Sequence, residues 1–238
     1  MKVLYRISDG GNSKIKCTYA NDKKQMFLHF IRRFSAHDIY VFADNVSNDT
    51  YDFLKANCDT LKLFRLTLGN ADSFMYTVDY AIAHFDPEDK VYFAEDDYIY
   101  RANAPEYIEE GLSIAEYSSG YDHPDKYINY KDGGPNHFIE NGGESTRVLV
   151  TKHTHWKLTN SCCMTFATRV KMIKEDYETF TMNCIGGIPN DFSLFCELIQ
   201  NKKRKLVSCI PSVSTHAEVK WLAKFVDWDK EFKETLTN

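Results

Sequence analysis

Residues 39–43, Ile-Tyr-Val-Phe-Ala, form an unbroken apolar run that stops at Asp44-Asn45. A strand with one wet face alternates apolar and polar residues, so a run without alternation predicts a strand covered on both faces. Such a strand needs helices above and below it, and the flanking sequence provides them. Over residues 23–34, Met26, Phe27, Phe30, Ile31 and Phe34 recur at helical spacing among basic residues, and residues 48–57 read as a second helix. The same rhythm extends in both directions. Residues 3–7 predict a strand that ends in the turn formers of 8–12. Residues 61–68 predict a third strand, 71–84 a helix with Phe74, Val78, Ala81 and Ile82 inward, and 90–94 a fourth strand. Strands alternating with helices predict βαβ units, and hence an α/β fold with a mainly parallel mixed sheet flanked by helices. In sheets of that kind ligands collect at the carboxyl ends of the strands.

Further along, a helix is expected over 105–117. Residues 118–147 are rich in Gly, Asp, Asn and Tyr and hold no period, and a loop of that length inside a compact domain is usually functional. Strands are expected over 147–152 and 155–168, helices over 170–177 and 191–200, a strand over 206–210 and a short helix after Thr215. No repeat, low-complexity tract or linker composition divides the 238 residues, so 1–238 reads as one domain.

The formal net charge of -5 argues against a nucleic-acid partner, which calls for a basic face. The one basic cluster, Lys202 to Lys205, follows an apolar helical stretch and reads as a solvated helix end. No apolar run approaches the roughly 20 residues that cross a bilayer, so no integral membrane segment is expected. Seven cysteines, an odd number without regular spacing, and no apolar N-terminal segment of signal-peptide length predict a reducing, cytoplasmic setting. Cys162 and Cys163 fall inside a predicted strand, where neighbours point to opposite faces, so they should be buried small apolar residues that neither pair nor share a metal.

The chemistry concentrates at the end of the fourth strand, where Glu95, Asp96 and Asp97 follow one another. Consecutive carboxylates repel unless a cation offsets them, and hard divalent cations take oxygen ligands. The bland reading is an acidic turn or helix cap. His216, in Ser-Thr-His-Ala-Glu beyond the last predicted strand, is either an ordinary histidine or a second ligand brought back beside Asp97. Arg6, Ser8, Asp44 and Asn45 end the first two strands; Asp44 suits a ribose or base and Arg6 a phosphate or base, with local turns and salt bridges as the alternative. Gly69-Asn70 is a tight turn feeding a helix N terminus. Tyr121-Asp122-His123-Pro124-Asp125 mixes aromatic, carboxylate and imidazole groups as sugar sites do, and His153, His155 and Trp156 resemble a second wall. Asp191 opens a predicted helix and is either its cap or a group able to take a proton from an acceptor hydroxyl.

Taken in order, Leu4 to Asp9, Gly69-Asn70 with Ser73-Phe74, Val91 to Tyr98, Tyr121 to Tyr127, His155-Trp156, and Ser214 to Glu218 with Trp221 resemble the small A-type glycosyltransferase domains of bacteria and of large algal viruses such as the chlorella viruses. The resemblance implies a nucleotide-sugar donor, often uridine-linked, held by about residues 1–117, and a glycan or glycoprotein acceptor held by about 118–238. It implies Mn²⁺ or Mg²⁺ at Asp97, and His216, from its place after the last predicted strand, is the second metal ligand expected. Arg6, Ser8, Asp44, Asn70 and Asp96 would hold the donor, His123, His155 and Trp156 the sugar or acceptor, and Asp122 and Asp191 would serve catalysis. Glu95 departs from an Asp-X-Asp pattern, so Asp97 is the principal ligand expected. Two alternatives remain: a nucleotide-sugar pyrophosphorylase, which calls for a glycine-rich basic loop that residues 8–16 match only in part, and a carbohydrate-binding relative without catalysis.

Overall fold

A computed structural model describes residues 1–10 and 17–237. Part of the turn expected over 8–12, and most of the loop 8–16, lie outside the described residues. The strands are β1 (Lys2–Ile7), β2 (Asp38–Asp44), β3 (Leu63–Leu66), β4 (Lys90–Glu95), β5 (Tyr98–Tyr100), β6 (Tyr117–Ser119), β7 (Val148–Val150), β8 (His155–Thr159), β9 (Phe166–Arg169), β10 (Leu206–Ile210) and β11 (Ser214–His216). The helices are α1 (Lys23–Arg33), α2 (Asn48–Asn57), α3 (Asn70–His84), α4 (Ala104–Gly111), α5 (Val170–Glu175), α6 (Tyr177–Asn183), α7 (Asp191–Lys202) and α8 (Trp228–Thr237).

Nine strands form one sheet in the order β3-β2-β1-β4-β9-β6-β10-β8-β7, and β5 pairs with β11 beside it. Strands β1 to β4, β6, β7 and β10 run one way, and β8 and β9 run against them. The fold is thus the mainly parallel, single-domain α/β sheet that the apolar runs predict. Because β2 is continuous in apolar residues, it carries a core on each face. Tyr5, Phe27, Phe30 and Tyr92 lie in the layer under α1 and α8, and Leu4, Phe42, Phe74 and Phe93 in the layer under α3 and α7.

The chain passes from β1 outward to β2 and β3, then returns to the other side of β1 as β4. This reversal opens a crevice at the carboxyl ends of β1 and β4, where the two strands diverge into different connections. In register Arg6 lies opposite Glu95 across that boundary.

Several elements differ from expectation. The helix over 105–117 stops at Gly111, and Tyr117 opens β6 instead, pairing with Leu206. Leu112 and Ala115 preserve an apolar spacing that looks helical, but they are buried in a turn. The strand over 155–168 is interrupted, because Cys163 and Met164 adopt left-handed φ of 51° and 55°. Cys162 and Cys163 therefore occupy a turn; they still face different core layers, and all seven cysteines are free thiols. The helix over 170–177 is two helices, broken at Asp176, whose buried carboxylate accepts Nε–H of Arg204 at 2.9 Å and the phenol of Tyr117 at 2.7 Å. In place of a short helix after Thr215 come a 3-10 turn and the C-terminal helix α8.

Candidate active site

The crevice is a cavity of about 430 Å³ whose lining includes Arg6, Ser8, Lys23, Asp44, Asn70 and Ser73. Glu95, Asp96, Asp97, His216 and Ile188 close it. Its floor is built at the ends of β1 and β4. Arg6 is held flat across it: Nη1 donates to the carbonyl and side-chain oxygens of Asn70, both at 2.9 Å, and to Ser73 Oγ at 3.2 Å, while Nη2 donates to Glu95 Oε1 at 2.6 Å. Asn70 is the first residue of α3, entered through Gly69 at φ 94°, a backbone angle that penalises any residue with a Cβ.

Each member of the acidic run has its own partner. Glu95 pairs with Arg6, Asp96 Oδ1 takes Lys23 Nζ at 2.6 Å, and Asp97 Oδ2 lies 2.9 Å from His216 Nε2. The other Asp96 oxygen accepts the Ser8 N–H at 2.8 Å. Glu95 keeps a quarter of its side chain open to the cavity, yet burial on the protein side pushes its carboxyl up to about 7, opposed by Arg6 and reinforced by Asp97. Burial also raises Asp96, against the pull of Lys23.

His216 arrives from 119 residues away, as the antiparallel pairing of β11 with β5 sets it opposite Tyr98 and the Ala217 N–H bonds the Asp97 carbonyl at 2.8 Å. A carboxylate and an imidazole converging from two strands are a fitting donor set for a Mn²⁺-like ion. No cluster of three or more His, Cys, Asp or Glu side chains suited to a metal is found among the described residues. Two protein ligands suffice when diphosphate and water complete the shell, as they usually do for Mg²⁺.

Asp44 lines the cavity, but its carboxylate is engaged in shaping it: Oδ1 and Oδ2 accept the N–H groups of Leu68 and Gly69 at 2.7 and 2.9 Å. Lys23 escaped the sequence reading. A lysine at the first position of a helix opposes the helix dipole, and that misplacement was the signal available. Ile188, on the loop before α7, joins the lining as well; an apolar residue leading into a helix carries no chemical signal of such a place.

The remaining candidates lie outside this lining. Asp191 is not the cap of α7, because Asn190 accepts the Ser193 N–H; its Oδ2 instead takes the N–H groups of Cys162 and Cys163 at 3.1 and 2.8 Å. That turn lies within electrostatic reach of the cavity: burial drives the Cys163 thiol well up, helped by Asp191, Asp125 and Glu95. Asp122 is tied to the buried Lys157 at 2.8 Å and accepts from Tyr127 Oη. His123 lies between Tyr121 and Trp221, with ring centroids 5.1 Å from each, and its Nδ1 is 2.8 Å from Asp125. Trp156 corrects the expected second wall. It is fully buried in the core, its indole N–H donating to Thr151 at 2.8 Å, because the inward face of β8 needs a large apolar side chain there. His155 is exposed at the start of β8 and absent from the cavity lining, and His153 bonds Glu110.

No family model matches the chain, and no curated protein matches its sequence. Solved structures match its shape. A structure assigned as a nucleotide-diphospho-sugar transferase, from Desulfovibrio desulfuricans G20, superposes with a TM-score of 0.50 at 12% identity, over 87% of this chain and 78% of that one. A 4-diphosphocytidyl-2C-methyl-D-erythritol synthase superposes with a TM-score of 0.50 at 11% identity, over 100% of this chain and 98% of that one. At such identities the likeness is one of fold, and the chain shares with both structures a mixed α/β fold with a large, mainly parallel sheet flanked by helices.

Proposed function

We propose that the chain is a metal-dependent glycosyltransferase that moves a sugar from a nucleoside diphosphate, most simply a uridine diphosphate, to a hydroxyl of a glycan or glycoprotein. The observation that carries this reading is the buried Asp97–His216 pair, 2.9 Å apart, in the lining of a crevice that among the described residues holds four carboxylates with the cations Arg6 and Lys23. A diphosphate adds further negative charge, so a divalent cation is the natural complement. Asp97 and His216 would hold it, and Mn²⁺ or Mg²⁺ bound there would supply stabilisation for the charge on a leaving phosphate. Arg6, fixed by Asn70 and Glu95, orients the donor. About residues 1–117 hold the nucleotide sugar and about 118–238 the acceptor. Asp191, beside the Cys162–Cys163 turn, and Asp122 supply the carboxylates for the acceptor side, where a proton must leave the attacking hydroxyl in an inverting reaction. Seven unpaired thiols fit a reducing cytoplasm, and no helix among the described residues is long and apolar enough to cross a membrane.

The likeness to a nucleotidyl-transferring synthase over the whole chain favours one second reading, a nucleotide-sugar pyrophosphorylase. Calorimetry with uridine diphosphate and Mn²⁺ tests the metal site. Affinity in the wild type should depend on Mn²⁺, and Asp97→Asn should lose that dependence while circular dichroism stays native. An Asp97→Asn variant with unchanged Mn²⁺-dependent affinity overturns the assignment, and release of free diphosphate rather than exchange of pyrophosphate separates the two enzymes. Turnover of donor by Asp97→Asn should fall on the order of 10³-fold, the rate equivalent of several kcal/mol of leaving-group stabilisation.

A further inference from the structure

The segment that brings Ile188 to the donor cavity runs on into α7, where Phe192 follows Asp191. Its ring joins others from the long irregular segment after β6. The centroid of Phe192 lies 5.3 Å from His137 and 5.9 Å from Phe138, His137 and Phe138 are 4.2 Å apart, and Tyr130 is 6.5 Å from His137. Tyr130 and Phe138 are 59% and 49% exposed, an unfavourable setting for two large rings unless something covers them.

Their outward display is built. Buried Asn136 accepts the Phe138 N–H at 3.1 Å and donates to Asn160 at 3.2 Å; fully buried Ile139 turns inward and accepts the Tyr130 N–H at 2.8 Å. The rings therefore stand on anchors. Exposed Lys131 and Asp132 follow Tyr130, and exposed Glu140 lies two residues after Phe138, so hydrogen-bonding groups are close to the rings along the chain. An apolar face rimmed by polar groups complements a pyranose, which offers C–H bonds on its face and hydroxyls at its edge.

We infer that Tyr130, His137, Phe138 and Phe192 form a carbohydrate-binding platform that holds the acceptor glycan beyond the sugar unit that reacts. The inference rests on the transferase reading for the word acceptor, and on Phe192 lying one residue after Asp191 and four after the cavity-lining Ile188 for its place in the site. A protein partner would call for a wider apolar face than these four rings, with fewer charged residues as close as the exposed Lys131, Asp132 and Glu140.

Saturation-transfer NMR with soluble oligosaccharides of the cello, malto, xylo, manno and chito series tests it on the intact chain, with circular dichroism to check folding. At least one series should bind the wild type. Phe138→Ala and Tyr130→Ala should each weaken that binding about tenfold, equivalent to ~1.4 kcal/mol and of the order expected for losing one ring contact. Absence of binding across the panel, or equal affinity in folded variants, overturns the platform. Sedimentation that shows wild-type self-association abolished by Phe138→Ala, without oligosaccharide binding, also overturns it and gives the face to a second copy. Uridine diphosphate binding in the same samples reads the transferase assignment separately: glycan binding with no nucleotide binding overturns that assignment and keeps the platform.

Discussion

Arg6 and Asp44 show how two residues in one cavity can act differently. Arg6 reaches into the space with a guanidinium pinned by Asn70, Ser73 and Glu95, whereas Asp44 would act on the proposed donor through the Leu68–Gly69 turn that its oxygens hold. Neither is expected to touch the reacting carbon. Arg6→Ala and Asp44→Ala should each raise the donor KM about tenfold or more, the worth of ~1.5 kcal/mol for a lost charged hydrogen bond, with kcat little changed. Steady-state kinetics check this, and a collapse of kcat at constant KM would move both residues to the chemical step. That Arg6 and Asp44 belong to one cavity was legible from their places at the ends of the first two strands. That Asp44 spends both oxygens on backbone was not, because hydrogen-bond partners 24 and 25 positions away leave no local signature.

Helix α4 ends at Gly111 because the backbone there lies against β6 and the Trp156 ring. A Cβ on Gly111 would come within 2.9 Å of Trp156 Cη2 and closer still to Ser118. Gly111→Ala should therefore destabilise by about 1–3 kcal/mol through overpacking, although alanine favours helix over glycine in an open setting. Thermal unfolding measures it, and a melting point equal to or above the wild type's would show that the contact relaxes freely. The same packing explains why Trp156 left the predicted site wall for the core. It explains the shortened helix too, since an apolar spacing over 105–117 is satisfied equally by a helix and by a buried turn leading into a strand.

Over the whole molecule, α1 links the crevice, through Lys23 and Asp96, to the C-terminal helix packed against it. His29 on α1 is fully buried, accepts the Tyr100 N–H at 2.9 Å and lies 5.2 Å from the Phe232 ring of α8. Burial, with Arg33 adding to it, lowers its pKa from 6.5 to about 3. Between those values the unfolded chain binds a proton that the folded chain refuses, so the contribution of His29 is complete above pH 6.5 and is lost as pH falls toward 3. The slope is at most about 1.4 kcal/mol per pH unit. Chemical denaturation at a series of pH values should show wild-type stability falling more steeply below neutrality than that of His29→Gln, which keeps an acceptor without a titration. Parallel profiles would mean that carboxylates elsewhere set the acid limit.

The order of strands and helices from β1 to β4, the two-sided burial of β2 and the clustering of acids at the end of β4 were readable along the chain, because apolar periodicity reports burial and strand ends in a parallel sheet share one edge. Helices α2 and α7 and strand β10 fell where spacing alone put them, give or take a residue or two at the end of α7. What the line of residues could not carry is long-range pairing. His216 stands beside Asp97 because β11 pairs with β5, and Lys23 stands beside Asp96 because α1 packs over the end of β1. Trp156 is core and the aromatic cluster around Phe138 is surface, although a local reading favours neither placement. Each of those outcomes depends on contacts between residues far apart in sequence, whose energies exist only once the sheet has closed around them.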